Sequence, residues 1–378
     1  MFRGSFKIGE IAGIPIKIHF TFLIILPFFA WIFGTNIQSF LGYMGLTNTS
    51  LSLNPYLLGL IIAVLVFVSV ALHELAHSFV ARKRGMEIND ITLMLLGGVA
   101  QMEEISEDST DEALMALIGP VFSLVFGYLL LKFSGIFSYD TLADLKIVFF
   151  FLGQINIYLG VFNLIPAFPT DGGRVLRALI AKRKSYLEAT RIAVQVGKII
   201  AFIIGIFGFL SGNFILIFIA FYIFMAGSQE YQQTMIKKGL AGLKVKDLMT
   251  REVKTVSGEL FLSQLLQKMF EERHSGYPVV DNNHLKGMVT MEDIKKVKRE
   301  EHGMKKVRQI MSDEIKKVHP EDEIYDALKI ISKEDIGRLL VVDEEDNLVG
   351  IITRTDIIKG FQLQELKMDI EENERIKK

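Results

Sequence analysis

Six stretches of this 378-residue chain are apolar for long enough to cross a bilayer, and no other feature limits the fold so severely. A hydrocarbon core needs about 20 mainly apolar residues per helix, and inside it each span must satisfy its own backbone groups. The runs are residues 15–33, 57–79, 113–133, 145–168, 192–210 and 214–226, the last two joined by Ser211, Gly212 and Asn213. The first follows FKIGEIAGIPIKIHF and has no small-residue cleavage site, so it reads as a retained span rather than a removable leader. Basic residues orient the set. Residues 34–56 contain no Lys or Arg, whereas Arg82, Lys83 and Arg84 follow the second run. Arg174, Arg177, Lys182, Arg183 and Lys184 follow the fourth run, and Lys237 and Lys238 the sixth. Only Lys132 and Lys146 flank the loop between the third and fourth. A multi-pass cell-membrane protein with both termini in the cytoplasm is expected.

Beyond about Met235 the chain changes character and becomes dense in Lys, Glu and Asp, which sets a boundary near residues 237–242. The expected division is a membrane domain over residues 1–236, two repeated units over 244–300 and 306–360, and a charged tail over 361–378. A net charge of −1 gives no case for a nucleic-acid partner. The absence of cysteine excludes disulfides and thiolate metal sites, so any metal must be held by His, Asp or Glu.

Such groups stand where they are least welcome. The second run ends VSVALHELAHSFVARKRG, with His73, Glu74 and His77 inside the apolar zone. On a helix, His73 and His77 are i and i+4 and project from one face, as two imidazoles binding a divalent cation require. Glu74 is adjacent and can act on water at the metal without ligating it. Unliganded, the three would cost several kcal/mol of insertion energy, so a functional reading is favoured over a chance one.

A zinc hydrolase site normally has a third protein ligand. Asp171, in NLIPAFPTDGGRVL, lies at the same depth as the histidines, where Pro166 and Pro169 break the helix and Gly172 and Gly173 permit close backbone approach. Its competing reading is an N-cap for a helix beginning near Gly172. His19, the remaining histidine in the spans, reads as structural or interfacial.

HELAH in a membrane span, followed downstream by Asn163, Pro166, Asp171, Gly172 and Gly173 as N-x-x-P…D-G-G, resembles the site-2 protease family of intramembrane zinc metalloproteases over about residues 1–230. The resemblance implies that His73, His77 and Asp171 ligate one zinc ion per chain and that Glu74 is the catalytic acid/base. It also implies that the substrate is a membrane-spanning protein, cut within its helix to release its cytosolic part, as in regulated intramembrane proteolysis. Many members carry Asn where this chain has Ser123, a position expected to leave the zinc site untouched. Gly97 and Gly98 in ITLMLLGGVAQMEE (residues 91–104) are read either as part of an extended hairpin offering an edge strand to unwound substrate, or as part of an ordinary turn. Asn156 and Asn163 can hold substrate backbone or bond a neighbouring helix, and the family pattern favours substrate for Asn163.

The hydrophilic part repeats itself. KVKDLMTREVKTV at Lys244 returns as KVRQIMSDEIKKV at Lys306, an offset of 62, and Gly287 matches Gly350 at an offset of 63. Units of about 60 residues are too small to stand alone, so the two are expected to pack as one α/β unit. They resemble a tandem pair of CBS domains. In that family the pattern G-h-h-T-x-x-D (h, hydrophobic) sets a Thr hydroxyl and an Asp carboxylate on the ribose of an adenosine ligand, here Thr290 with Asp293 and Thr353 with Asp356. Arg338 and Arg354 are candidate phosphate partners. The alternative for both aspartates is helix-terminal charge without ligand.

The expected fold is thus a polytopic α-helical membrane domain of six transmembrane helices followed by a cytosolic α/β tandem CBS-domain module. The expected function is zinc-dependent intramembrane endopeptidase activity, with ATP or AMP at the CBS pair as regulator and a homodimer through the CBS domains as a candidate assembly. A CBS-regulated transporter or channel, and a catalytically silent relative, are the alternatives.

Overall fold

The computed structural model describes residues 4–43, 51–86, 88–94, 97–102, 108–137, 142–282 and 284–376. It divides into two compact units, Met1–Gln232 and Gln233–Lys378.

The first unit opens with a hairpin, β1 (Ser5–Ile11) and β2 (Ile14–His19), before the first membrane-length helix, α1 (Phe20–Tyr43). This corrects the span expected over residues 15–33. Ile14, Ile16 and Ile18 alternate with Pro15, Lys17 and His19, the period of a strand rather than of a helix. Five further helices have the length and apolarity to cross a membrane: α2 (Pro55–Lys83), α3 (Ser109–Ser134), α4 (Ala143–Asn163), α6 (Tyr186–Leu210) and α7 (Phe214–Gly239). Strands β3 (Ile88–Met94) and β4 (Gly97–Met102) lie between α2 and α3, and the short helix α5 (Asp171–Ala181) lies between α4 and α6.

Local chemistry sets the ends of these helices. Asn54 caps α2 by accepting from Tyr56 N at 2.9 Å, with Pro55 in the first turn, where its missing N–H is harmless. Asp108 caps α3 by accepting from the amides of Thr110 and Asp111. The fourth span ends at Asn163, not at residue 168, because residues preceding Pro166 and Pro169 are pushed out of the helical region. The sixth continues past residue 226 to Gly239, its polar last turns still helical.

A four-stranded sheet in the order β1-β2-β3-β4 braces one end of α2. Strand β2 runs parallel to β3, pairing Ile16 with Ile91 and Ile18 with Leu93, and Lys17 reaches Asp90 at 2.7 Å. Beneath it Ile14, Ile16, Phe67, Leu75, Ile91 and Leu93 form one buried cluster. A second cluster joins Phe33, Ile37 and Leu41 of α1 to Leu58 and Ile62 of α2 and to Ile147 and Leu152 of α4. Large apolar side chains on α6 and α7, such as Phe209 and Phe214, are left on the outer surface. That placement suits lipid contact, since hydrocarbon solvates them as well as a core would.

The second unit contains α8 (Val245–Leu248), α9 (Leu262–Glu272), β5 (Gly276–Asp281), β6 (His284–Thr290), α10 (Met291–Lys295), β7 (Lys317–Val318), α11 (Ile324–Lys333), β8 (Arg338–Val342), β9 (Leu348–Thr353) and α12 (Arg354–Ile376). The repeats complete one another. The leader of the first pairs with the second repeat's sheet at Thr250 and Ile351, and the leader of the second pairs with the first repeat's sheet at Ser312 and Met288. Charge follows the same exchange: Lys244 and Lys246 meet Glu321, while Lys306 and Arg308 meet Glu259. One α/β unit built from two interdependent copies is the result.

Candidate metal and catalytic site

Helix α2 brings His73 and His77 to one face, and the first residue of α5 brings Asp171 against them. The Nε2 atoms of the two histidines are 3.1 Å apart, and Asp171 Oδ2 lies 3.3 Å from that of His73 and 3.2 Å from that of His77. Among the described residues this is the one group of three or more His, Asp or Glu side chains arranged to share a metal ion.

The donor set fits zinc. His77 Nδ1–H donates to Met115 O at 2.6 Å, which leaves Nε2 with its lone pair directed at His73 and Asp171. His73 Nδ1 pairs with Ser123 Oγ at 2.8 Å and likewise turns Nε2 inward. Fixing the outer ring nitrogen in this way is how metal-binding imidazoles are oriented. Ligands about 2.0–2.2 Å from a tetrahedral ion are about 3.3 Å or slightly more from each other, close to the three separations observed. At least one imidazole lone pair and a carboxylate oxygen point at each other, an arrangement that only a cation or a shared proton relieves.

Three features of this geometry escaped the sequence reading. Ser123, expected to leave the metal site untouched, bonds a candidate ligand directly. Gly119 of α3 faces both rings, and a Cβ there would stand 2.5 Å from His77 Cε1 and 2.8 Å from His73 Nε2. Gly119→Ala is therefore expected to spread the two rings and lower zinc affinity by about 10–100-fold, the range seen when a ligand loses its support; dialysis against a competing chelator measures it. The third feature is a buried ion cluster behind α5. Arg177 Nε donates to Glu112 Oε1 at 2.8 Å and its NH1 to Glu230 Oε1 at 2.7 Å, while the guanidinium stacks over Phe168 and Tyr186. The signal for it was an acid, Glu112, at the edge of an apolar run.

Asp171 is not the N-cap that the competing reading proposed. That position belongs to Thr170, and Asp171 is the first helical residue. Gly172 and Gly173 explain the approach: a Cβ on Gly172 would strike the carbonyls of Leu164 and Ile165, and one on Gly173 would stand 2.6 Å from Phe168 N. The helix thus starts hard against the preceding loop, with its first side chain turned to the histidines.

A cavity of about 1360 Å³ opens onto the site, walled by Glu74, His73, His77, Asp171, Asn163 and Arg174 at one end and by aromatic residues of α1 and α4 along its length. Asn163 Nδ2 donates to Leu159 O within its own helix. Asn156, by contrast, is buried and ties α4 to α2 through Ser69 Oγ at 3.0 Å, the helix-bonding alternative. His19 stands outside the site, paired with Thr21 Oγ1. Gly97 and Gly98 begin β4, which pairs antiparallel with β3 and forms an edge of the sheet, so this stretch is a hairpin rather than an ordinary turn; Leu95, Leu96, Glu103 and Glu104 lie outside the described residues.

In the second unit, Thr290 and Thr353 each donate their hydroxyl to the carboxylate three residues on, Asp293 at 2.7 Å and Asp356 at 2.6 Å, and each aspartate also accepts the threonine amide. One oxygen of each carboxylate therefore closes a helix start. Arg338 spans the repeats, donating to Gly276 O and Ser275 Oγ, while the Arg354 side chain is exposed.

Comparison with known proteins follows this division. Residues 61–144 and 132–204 match Peptidase family M50, and residues 245–300 and 307–362 match the CBS domain. The chain is 36% identical over 296 residues to a zinc metalloprotease of Methanocaldococcus jannaschii, covering 77% of this chain and 80% of that protein. It is 31% identical over 310 residues to the Rip3 protein of Mycobacterium tuberculosis, covering 78% and 76%. Among solved structures, a site-2 protease from Methanocaldococcus jannaschii is 36% identical, with a TM-score of 0.42, over 60% of this chain and 95% of that one.

Proposed function

Because the chain belongs to Peptidase family M50 and is an intramembrane zinc metalloprotease carrying tandem CBS domains, we propose that it hydrolyses a peptide bond within a transmembrane helix of a membrane-anchored protein, with His73, His77 and Asp171 holding one zinc ion and Glu74 moving the proton. The observation that carries this reading is the meeting of three donor atoms, from α2 and α5, at the end of a cavity that Glu74 also lines. When bound, zinc supplies a Lewis acid that polarises a peptide carbonyl and acidifies water. Glu74 takes a proton from the attacking water and returns it to the leaving nitrogen. Ser123 and the Met115 carbonyl keep the imidazoles in the tautomer that offers Nε2.

A peptide bond inside a helix is shielded, so the substrate must unwind to reach these groups. The outer edge of β4 starting at Gly97 and Gly98, unpaired among the described residues, and Asn163 on the cavity wall are suited to hold an extended segment through its backbone. The distribution of Lys and Arg supports both termini and the CBS pair facing the cytoplasm. The test is cleavage of a single-span protein in vesicles by the zinc-loaded chain, set beside Glu74→Gln: a cut fragment from the first alone supports the reading, and none from either overturns it.

For the CBS pair, the reading is that ATP or AMP binds with its ribose on Thr290 and Asp293 or on Thr353 and Asp356, where one carboxylate oxygen orders the helix. The other is left to accept from hydroxyls at Asp356, whereas at Asp293 it meets the exposed Lys296 ammonium at 3.2 Å, which a ribose would displace. Arg354 is the better placed phosphate partner, because Arg338 already spends donors within the protein. Equilibrium dialysis of the full chain with ATP or AMP is expected to show saturable binding that Asp293→Ala with Asp356→Ala reduces by at least about tenfold, a loss of about 1.4 kcal/mol.

A further inference from the structure

Arg174 follows Asp171 by three residues on α5, so the two share a helix face and both line the cavity that holds Glu74 and the histidines. Its guanidinium is half-buried and forms no hydrogen bond or ion pair with any described residue, although it shares the cavity wall with Glu74 and Asp171. One turn further on, Arg177 shows the contrast: it is buried and held by Glu112 and Glu230. A structural arginine on this helix is thus fully paired, whereas the one on the cavity wall keeps all five donors unspent. Beside an apolar cavity an unpaired cation is unfavourable, and the group that best relieves it is an anion arriving with the substrate.

We propose that Arg174 is a further catalytic residue, donating to the scissile carbonyl oxygen as negative charge builds there and then to the carboxylate of the new C-terminus. The proposal rests on the proteolytic reading. As the water oxygen bonds to the carbonyl carbon, one water proton passes to Glu74 and the carbonyl π pair moves onto its own oxygen, which Arg174 meets. The C–N bond then breaks, its electron pair leaves with nitrogen, and Glu74 returns the proton to that nitrogen. The carboxylic acid formed gives its proton to the amine, leaving a carboxylate opposite the guanidinium. A donor placed where charge develops is worth far more in a water-poor site than in water, and a planar fork suits both the oxyanion and the carboxylate.

The test uses the full zinc-loaded chain in vesicles with a single-span substrate. Arg174→Gln is expected to lower kcat by about 10²-fold, the range for removing one such donor, with KM changed only a few-fold and one zinc still bound per chain. Arg174→Lys, which keeps a charge, is expected to recover part of the loss. Arg174→Gln should also weaken binding of a peptide product with a free C-terminal carboxylate while leaving its amide unaffected. Wild-type kcat in Arg174→Gln would overturn the assignment, as would a loss that follows zinc content or resides in KM alone. Glu74→Gln in the same vesicles separates the two levels: a failure of Arg174 leaves the wild type active and Glu74→Gln inactive, whereas a failure of the proteolytic reading leaves no cleavage to compare.

Discussion

Glu74→Gln is expected to keep one zinc ion per chain and to lower cleavage of a membrane-spanning substrate by about 10³-fold, within the range for removing a general acid/base. The substitution preserves volume and hydrogen-bonding capacity but cannot take up a proton at catalytic pH. Glu74 is not among the three side chains whose donor atoms converge, so its loss spares the metal set. It lines the same cavity, which places it where water and substrate meet. Elemental analysis and gel-resolved cleavage read the two quantities independently. Full cleavage by a zinc-loaded Glu74→Gln chain would refute the assigned role.

Asp171→Ala is expected to do the reverse, losing the metal first and activity with it. Two imidazoles from one helix turn make a poor zinc site alone, and removal of the sole carboxylate should lower affinity by more than about 10–100-fold, the range for loss of a mere supporting group. The fold should survive, because Thr170 holds the N-cap position and the close packing of Gly172 and Gly173 does not involve the carboxylate. Unchanged helical circular dichroism with zinc well below one per chain after dialysis is the expected pair of results. Retention of zinc at the wild-type level would remove Asp171 from the site.

How much of this was legible in the sequence depended on the range of the interaction. The i, i+4 spacing of His73 and His77 is set by helix geometry alone and could be read directly. Asp171 could be read as the candidate third ligand from its depth and its flanking prolines and glycines, with its role implied by the resemblance. That it meets His73, 98 residues away, depends on how α5 packs against α2, which no local spacing reveals. The β2 strand was misread for a local reason: PIKIHF runs straight into apolar α1, and counting apolar residues masked the two-residue alternation of Ile14, Ile16 and Ile18. Its partner, β3, lies beyond α2, so the pairing that stabilises it was invisible to a window. Arg177 looked like one more basic residue after a span; only the meeting of α3, α5 and α7 shows that it joins Glu112 and Glu230. Ser123 and Gly119 lie on α3, and their importance comes from where that helix crosses the histidines. The CBS repeat was plain, but the exchange of leaders between copies, with Thr250 on Ile351 and Ser312 on Met288, is a property of the pair that neither copy encodes alone.

The most direct test is anomalous scattering at the zinc edge from crystals of the full chain. One peak is predicted, about 2.0–2.2 Å from His73 Nε2, His77 Nε2 and an Asp171 carboxylate oxygen. A peak held by other residues, or one held by the histidines with Asp171 turned away, would contradict the account.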